Sequence, residues 1–125
     1  MVASLNILVV EDHDILREAT VETLRQQGHR VTGIDCAEAL DAEFSGVLFD
    51  VYVIDLRLPG EDGISLTRRL RLRQPGAGII LATARVLPQD REAGLVSGAD
   101  IYLPKPLLPE DLLAAVAALG AGKAD

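Results

Sequence analysis

The chain has 125 residues, 49% of them hydrophobic, enough for one domain around a single core and too few for two. Its net charge of −7 argues against direct contact with nucleic acid, which needs Lys and Arg clustered on one face. The lone Cys36 excludes an intramolecular disulfide, the N-terminus lacks the pattern of a secretory leader, and no apolar run approaches the roughly 20 residues that cross a bilayer, so the chain reads as soluble and cytoplasmic.

Short apolar runs alternate with amphipathic stretches along the whole chain, the pattern of repeated βα units. The first strand is predicted over 6–10 and ends on Glu11-Asp12. Asp14 is a good N-cap for a helix to about Gln27, with Ile15, Leu16, Ala19 and Leu24 facing inward and Gly28 ending it. His13 reads as a solvent-facing loop residue and His29 as a turn residue before a second strand over 30–34. A weaker helix follows over 37–44. The third strand, 51–54, ends on Asp55, and a helix over 63–74 buries Ile64, Leu66 and Leu70 and stops at Pro75-Gly76. Its Arg68, Arg69, Arg71 and Arg73 lie near a helix C-terminus, where cations complement the macrodipole, and most should be solvated. The fourth strand, 78–81, leads to Thr83. Pro88 opens the fourth helix, a fifth strand over 101–103 leads to Pro104-Lys105, and Pro109 opens a fifth helix through Leu112, Leu113, Val116 and Leu119. Helices between consecutive strands imply a three-layer α/β/α domain with a five-stranded parallel sheet, in the flavodoxin-like order 2-1-3-4-5.

In such a sheet the carboxyl ends of the strands form the ligand crevice. Glu11, Asp12, Asp55, Thr83 and Lys105 all fall at predicted strand ends, and Lys105 is the sole lysine before Lys123 in the tail. Three converging carboxylates repel one another, so a hard cation such as Mg²⁺, with Mn²⁺ as a substitute, is the natural partner. Asp12 and Asp55 would be direct ligands, Glu11 would hold bound water, and a backbone carbonyl from the loop after Asp55 would complete the shell. An aspartate can attack phosphorus to give an acyl phosphate, through a loose transition state that needs positioning and charge neutralisation. The cation, Lys105 and the Thr83 hydroxyl would each take one phosphoryl oxygen. Lys105-Pro106 is an X-Pro bond that can be cis at low cost.

These residues, with Asp55-Leu56-Arg57-Leu58-Pro59-Gly60, Thr83-Ala84, Gly98-Ala99-Asp100, Tyr102 and Lys105-Pro106, are similar to the receiver domain of two-component response regulators over residues 5–119. The resemblance implies that Asp55 accepts phosphoryl from a histidine kinase or phosphotransfer protein, that Glu11 and Asp12 bind metal, and that Thr83 and Lys105 sense the phosphate. It also implies a switch in which Thr83 moves toward the phosphoryl group, Tyr102 swings inward, and the surface of helix 4, strand 5 and helix 5 presents the output. That output is expected to be control of transcription through an effector domain. The whole chain, 1–125, would be one receiver domain, regulatory rather than enzymatic, with 120–125 as a tail or the start of a linker.

Some positions depart from the family pattern. Leu58 replaces a common Met and Leu107 a common Phe. Arg57, whose backbone carbonyl is the expected cation ligand, and Arg85 occupy the positions two after the acceptor and two after Thr83, which in this family flank the route of the attacking water; their long side chains could shield the acyl phosphate and tune its lifetime. Arg91 and Asp111 fit one charge pair of the winged-helix subfamily's dimer face, whereas Ile101 and Ala115 replace an acid and an arginine there. Two other function classes compete. An aspartate-nucleophile phosphatase of the haloacid-dehalogenase type needs a second acid two residues after the nucleophile, where this chain has Arg57. A receiver-like module that binds partners without phosphorylation would not need all five key residues intact.

Overall fold

A computed structural model of the protein describes residues 4–84 and 87–121. Arg85 and the tail from Gly122, Lys123 included, lie outside the described residues. Five βα units follow one another: β1 (Asn6–Val10), α1 (Asp14–Arg25), β2 (Arg30–Ile34), α2 (Ala37–Glu43), β3 (Val51–Asp55), α3 (Gly63–Arg73), β4 (Gly78–Thr83), α4 (Pro88–Ser97), β5 (Ile101–Pro104) and α5 (Pro109–Gly120). The strands are all parallel and lie in the order β2-β1-β3-β4-β5, as predicted.

Both faces of the sheet are covered, which is why its central strands carry apolar residues at consecutive positions rather than at alternate ones. Successive side chains point to opposite faces. Leu8, Val10, Tyr52, Ile54, Ile79 and Leu81 pack with Leu40 of α2 and Leu66 and Leu70 of α3. Ile7, Val9, Val51, Val53 and Ile80 pack on the other side with Val21 and Leu24 of α1 and Leu112 and Val116 of α5. Each fully buried side chain of this size contributes about 1.5–3 kcal/mol over an exposed one, so these two layers supply most of the force that holds the site's strands in register.

Three local expectations are corrected. His13, not Asp14, caps α1: its Nδ1 accepts from the Leu16 amide at 3.4 Å, while Asp14 pairs with Arg17 at 2.7 Å. Of the residues expected on the inner face of α1 only Leu24 is buried, joined by Val21, whereas Ile15 (72% exposed), Leu16 and Ala19 face out. Helical spacing alone cannot tell two apolar faces apart when one of them is a surface. The arginines of α3 are also less solvated than macrodipole reasoning implies, since Arg69 and Arg71 are half-buried and multiply bonded. Among the described residues no helix is long and apolar enough to cross a membrane.

Candidate functional site

Strand register assembles the site. Val10 is level with Ile54, Asp55 with Ala82, and Thr83 with Pro104, so Glu11, Asp55, Thr83 and Lys105 emerge at one edge of the sheet from three adjoining strand pairs. Glu11, Asp12 and Asp55 each bring a carboxylate oxygen within 4.8 Å of the other two. Glu11 and Asp55 are buried, the latter 9% exposed, and Asp12 opens the cluster to solvent. Lys105 spans the crevice from β5: its Nζ donates to Glu11 Oε1 and lies 3.2 Å from Asp55 Oδ2.

The charges do not balance. At about 4 Å and an effective dielectric near 20, each carboxylate pair repels by about 4 kcal/mol, and a single ammonium offsets only part of that. An all-oxygen, convergent donor set left with excess negative charge and one solvent-facing carboxylate is the chemistry that a hard divalent cation completes, so the residues fit Mg²⁺.

Backbone contacts fix the carboxylates. The Arg57 amide donates to Asp55 Oδ1 at 3.1 Å and the His13 amide to Glu11 Oε2 at 3.3 Å. Gly63, the first residue of α3, has its amide on the Leu56 carbonyl at 2.9 Å, and a Cβ there would stand 2.8 Å from Leu56 Cα and run into the Asp55 carbonyl oxygen. Only glycine allows α3 to start so close behind the acceptor strand. Across the crevice the Lys105 amide donates to the Thr83 carbonyl at 2.9 Å, and the Lys105-Pro106 bond is cis.

Thr83 is buried at the end of β4. Tyr102 is buried as well, its ring against α4 where a Cβ on Gly94 would stand 3.2 Å from Tyr102 Cδ2. Burial, helped by Asp90, pushes its phenol above the usual range. The Arg57 side chain is exposed. Of the four residues read as a dimer face, Arg91 and Asp111 are exposed and Ile101 is half-buried, while Ala115, 6% exposed, packs into the α5 layer and offers little area. One supporting residue escaped the sequence: Arg17 of α1 donates to the Glu11 carbonyl at 2.9 Å, and the only signal was its spacing of three from Asp14.

The chain matches the family model described as response regulator receiver domain over residues 7–117. It is 42% identical over 115 residues to Protein PetR of Rhodobacter capsulatus, covering 91% of this chain and 48% of that protein. It is 38% identical over 115 residues to the virulence transcriptional regulatory protein PhoP of Salmonella typhimurium, covering 92% of this chain and 51% of that one. The crystal structure of the response regulator DrrB, a Thermotoga maritima OmpR/PhoB homologue, superposes with a TM-score of 0.88 at 30% identity, over 97% of this chain and 54% of that chain. The chain thus spans about half the length of each of these relatives. A five-stranded sheet in this order, three acids and a lysine at its carboxyl edge, and matches of this extent together show that the chain belongs to the response regulator receiver domains of two-component signal transduction.

Proposed function

We propose that the chain is a phosphorylation-controlled switch whose acceptor is Asp55. The observation that carries this reading is the Lys105 ammonium placed between Asp55 and Glu11, where an incoming phosphoryl group would need a fixed positive charge. Asp12, Asp55 and the Arg57 carbonyl would hold Mg²⁺ or Mn²⁺ directly, with Glu11 acting through bound water. When bound, the ion supplies charge neutralisation on a phosphoryl oxygen. An Asp55 carboxylate oxygen forms the new P–O bond as the P–N bond of a kinase or phosphotransfer histidine breaks, the imidazole leaving with the bonding pair. Lys105 neutralises a second oxygen and the Thr83 hydroxyl a third.

The packing behind Thr83 is the element that this charge event biases. Thr83 shifts toward the phosphoryl group, Tyr102 adjusts against Gly94, and the face of α4, β5 and α5 changes shape. Arg91, Ile101 and Asp111, with Ala115 beneath them, form a candidate homodimer surface on that face. PhoP is by name a transcriptional regulator, which supports transcription as the output, exerted through a region other than this acidic domain. The outward Leu16 and Ala19 of α1, beside Pro106 and Leu107, fit the docking of the phosphodonor protein, which would place the domain in the cytoplasm with its donor. Arg57, exposed beside the acceptor, would flank the path of the hydrolytic water. Residues 5–119 form the receiver core, and the chain's only chemistry would be its own phosphorylation and dephosphorylation.

Intact mass after incubation with acetyl phosphate tests this. One phosphoryl adduct is expected, dependent on Mg²⁺ and missing in Asp55→Asn, and its decay should quicken in Arg57→Ala. No adduct with any small donor or metal would favour a phosphorylation-independent interaction module.

A further inference from the structure

The loop between Asp55 and α3 is tied on its far side to α2. Glu38, in the first turn of α2, accepts from the Glu61 amide at 3.1 Å. Its carboxylate lies over Gly60, where φ is +73° and a Cβ would stand 2.7 Å from Glu38 Oε2, so this position needs glycine for conformation and for space. The Glu61 side chain then turns to α3. It accepts from Arg69 through both oxygens, at 2.8 Å from Nη2 and 3.0 Å from Nε, and from the Ser65 hydroxyl at 2.7 Å. The outer edge of the same guanidinium reaches both oxygens of Asp41 on α2, at 3.1 and 3.2 Å. One planar fork therefore joins α2, the loop and α3, a geometry that Arg can satisfy and Lys cannot. Bonding to Arg69 also holds the Glu61 carboxyl below its usual range.

We infer that Glu38, Glu61 and Arg69 are positioning residues, which hold the backbone after Asp55 where the Arg57 carbonyl can complete the oxygen shell of the cation. The inference rests on the functional reading above. Mg²⁺ demands near-octahedral geometry at about 2.0–2.1 Å, so a carbonyl that wanders must first be ordered, and the ordering cost appears as lost affinity. The near end of the loop is already pinned by Arg57 on Asp55 and by Gly63 on Leu56. The clasp pins the other end. None of its three side chains touches the acceptor carboxylate, so they act through the backbone rather than on the reacting atoms.

The test is a calorimetric Mg²⁺ titration of the wild type, Glu38→Ala, Glu38→Gln and Arg69→Ala. Glu38→Ala should weaken Mg²⁺ about fivefold, the scale of one lost hydrogen bond. Glu38→Gln keeps an acceptor for the Glu61 amide and should bind as the wild type does. Arg69→Ala, which frees Glu61 and Asp41 together, should lose about tenfold, as outer partners of metal sites do. Amide exchange measured without Mg²⁺ should accelerate at residues 57, 58, 60 and 61 in Glu38→Ala and Arg69→Ala and stay unchanged in β1 and β4, a pattern that general destabilisation would not give. If Arg69→Ala fails to fold, the Glu38 pair decides the matter. Wild-type Mg²⁺ affinity in Glu38→Ala overturns the inference and leaves the functional reading standing. No Mg²⁺ binding by the wild type overturns both.

Discussion

His29 shows what a single side chain does once its neighbours are known. It is buried at the opening of β2, and its Nδ1 accepts from the Leu5 amide at 3.1 Å, while Ser4 Oγ donates to the Gly28 carbonyl at 2.8 Å. Imidazolium has no lone pair at Nδ1, so protonation would leave the Leu5 amide without this acceptor. Burial accordingly lowers the pKa of His29 below its ordinary 6.5. With the folded value depressed, the unfolded chain binds the proton first as pH falls below 6.5, and the folded state loses stability until the folded value is passed. We predict that urea unfolding free energy declines from pH 7 toward pH 5, with a slope of at most about 1.4 kcal/mol per pH unit from this one proton. Glutamine at position 29 can accept the same hydrogen bond and does not titrate, so His29→Gln should flatten that part of the profile; an unchanged profile would assign the slope to other groups. Sequence could place His29 in a turn, but its role depends on Leu5, 24 residues away. His13 and Arg17 differ in that their partners are local, the Leu16 amide three residues on and the Glu11 carbonyl six back, yet these contacts form only because of how α1 enters from β1. Asp55, Thr83 and Lys105 were legible because each is a polar residue that ends an apolar strand, a pattern local to the chain.

The C-terminal end of α3 is anchored by two side chains, those of Gln74 and Arg71. Gln74, which follows it, accepts from the Tyr52 hydroxyl at 2.8 Å and donates to the Phe49 carbonyl at 2.6 Å, closing the helix onto the start of β3. One turn earlier, Arg71 donates to the carbonyls of Gly98, Pro75 and Ala77 and to Asp100 Oδ2, whose carboxylate also accepts from the Ile79 amide. One guanidinium thus ties α3, the start of β4 and the α4–β5 turn. Arg71→Ala should lower stability by about 2–3 kcal/mol, the value of a charge-assisted contact plus the carbonyls left unpaired, and Arg71→Lys should recover little because an ammonium cannot reach several directions at once. Chemical denaturation reads both. A cost below that of an ordinary surface substitution in either variant would mean that water replaces the side chain without penalty. The strands were legible to within two residues at each end because a two-sided parallel sheet leaves uninterrupted apolar runs. The face of α1 was not, since its outward Ile15 and Leu16 have the same spacing as core residues. Nor were the partners of the α3 arginines, because charge at a helix end is equally compatible with solvent and with a carbonyl 27 residues away.

At the scale of the molecule, an acidic chain of net charge −7 keeps three carboxylates in one crevice with a single lysine among them. Folding brings these charges together, so their repulsion opposes the native state, and any cation that binds only the folded site stabilises it by mass action. At a hundred times its dissociation constant, Mg²⁺ should add about 2.7 kcal/mol, which for a domain of this size raises the thermal midpoint by roughly 10 °C, and chelation should reverse it. Lys105 sets the sign of the next effect. Its ammonium already neutralises Glu11 and Asp55 in part, so it competes with the cation for the same oxygens. Lys105→Met should therefore lower the midpoint without Mg²⁺, bind Mg²⁺ more tightly than the wild type, and show a larger increment when the ion is added at a fixed concentration. Asp12→Ala removes a carboxylate that no ion pair in the described structure engages, so it should relieve repulsion, leave the metal-free midpoint equal or higher, and abolish most of the increment. Thermal melts of the three proteins with and without Mg²⁺ test the set. Equal increments in wild type and Lys105→Met would mean that the lysine moves clear when the ion arrives and that its charge is not felt there. An increment that survives in Asp12→Ala would place the stabilising ion elsewhere on the acidic surface.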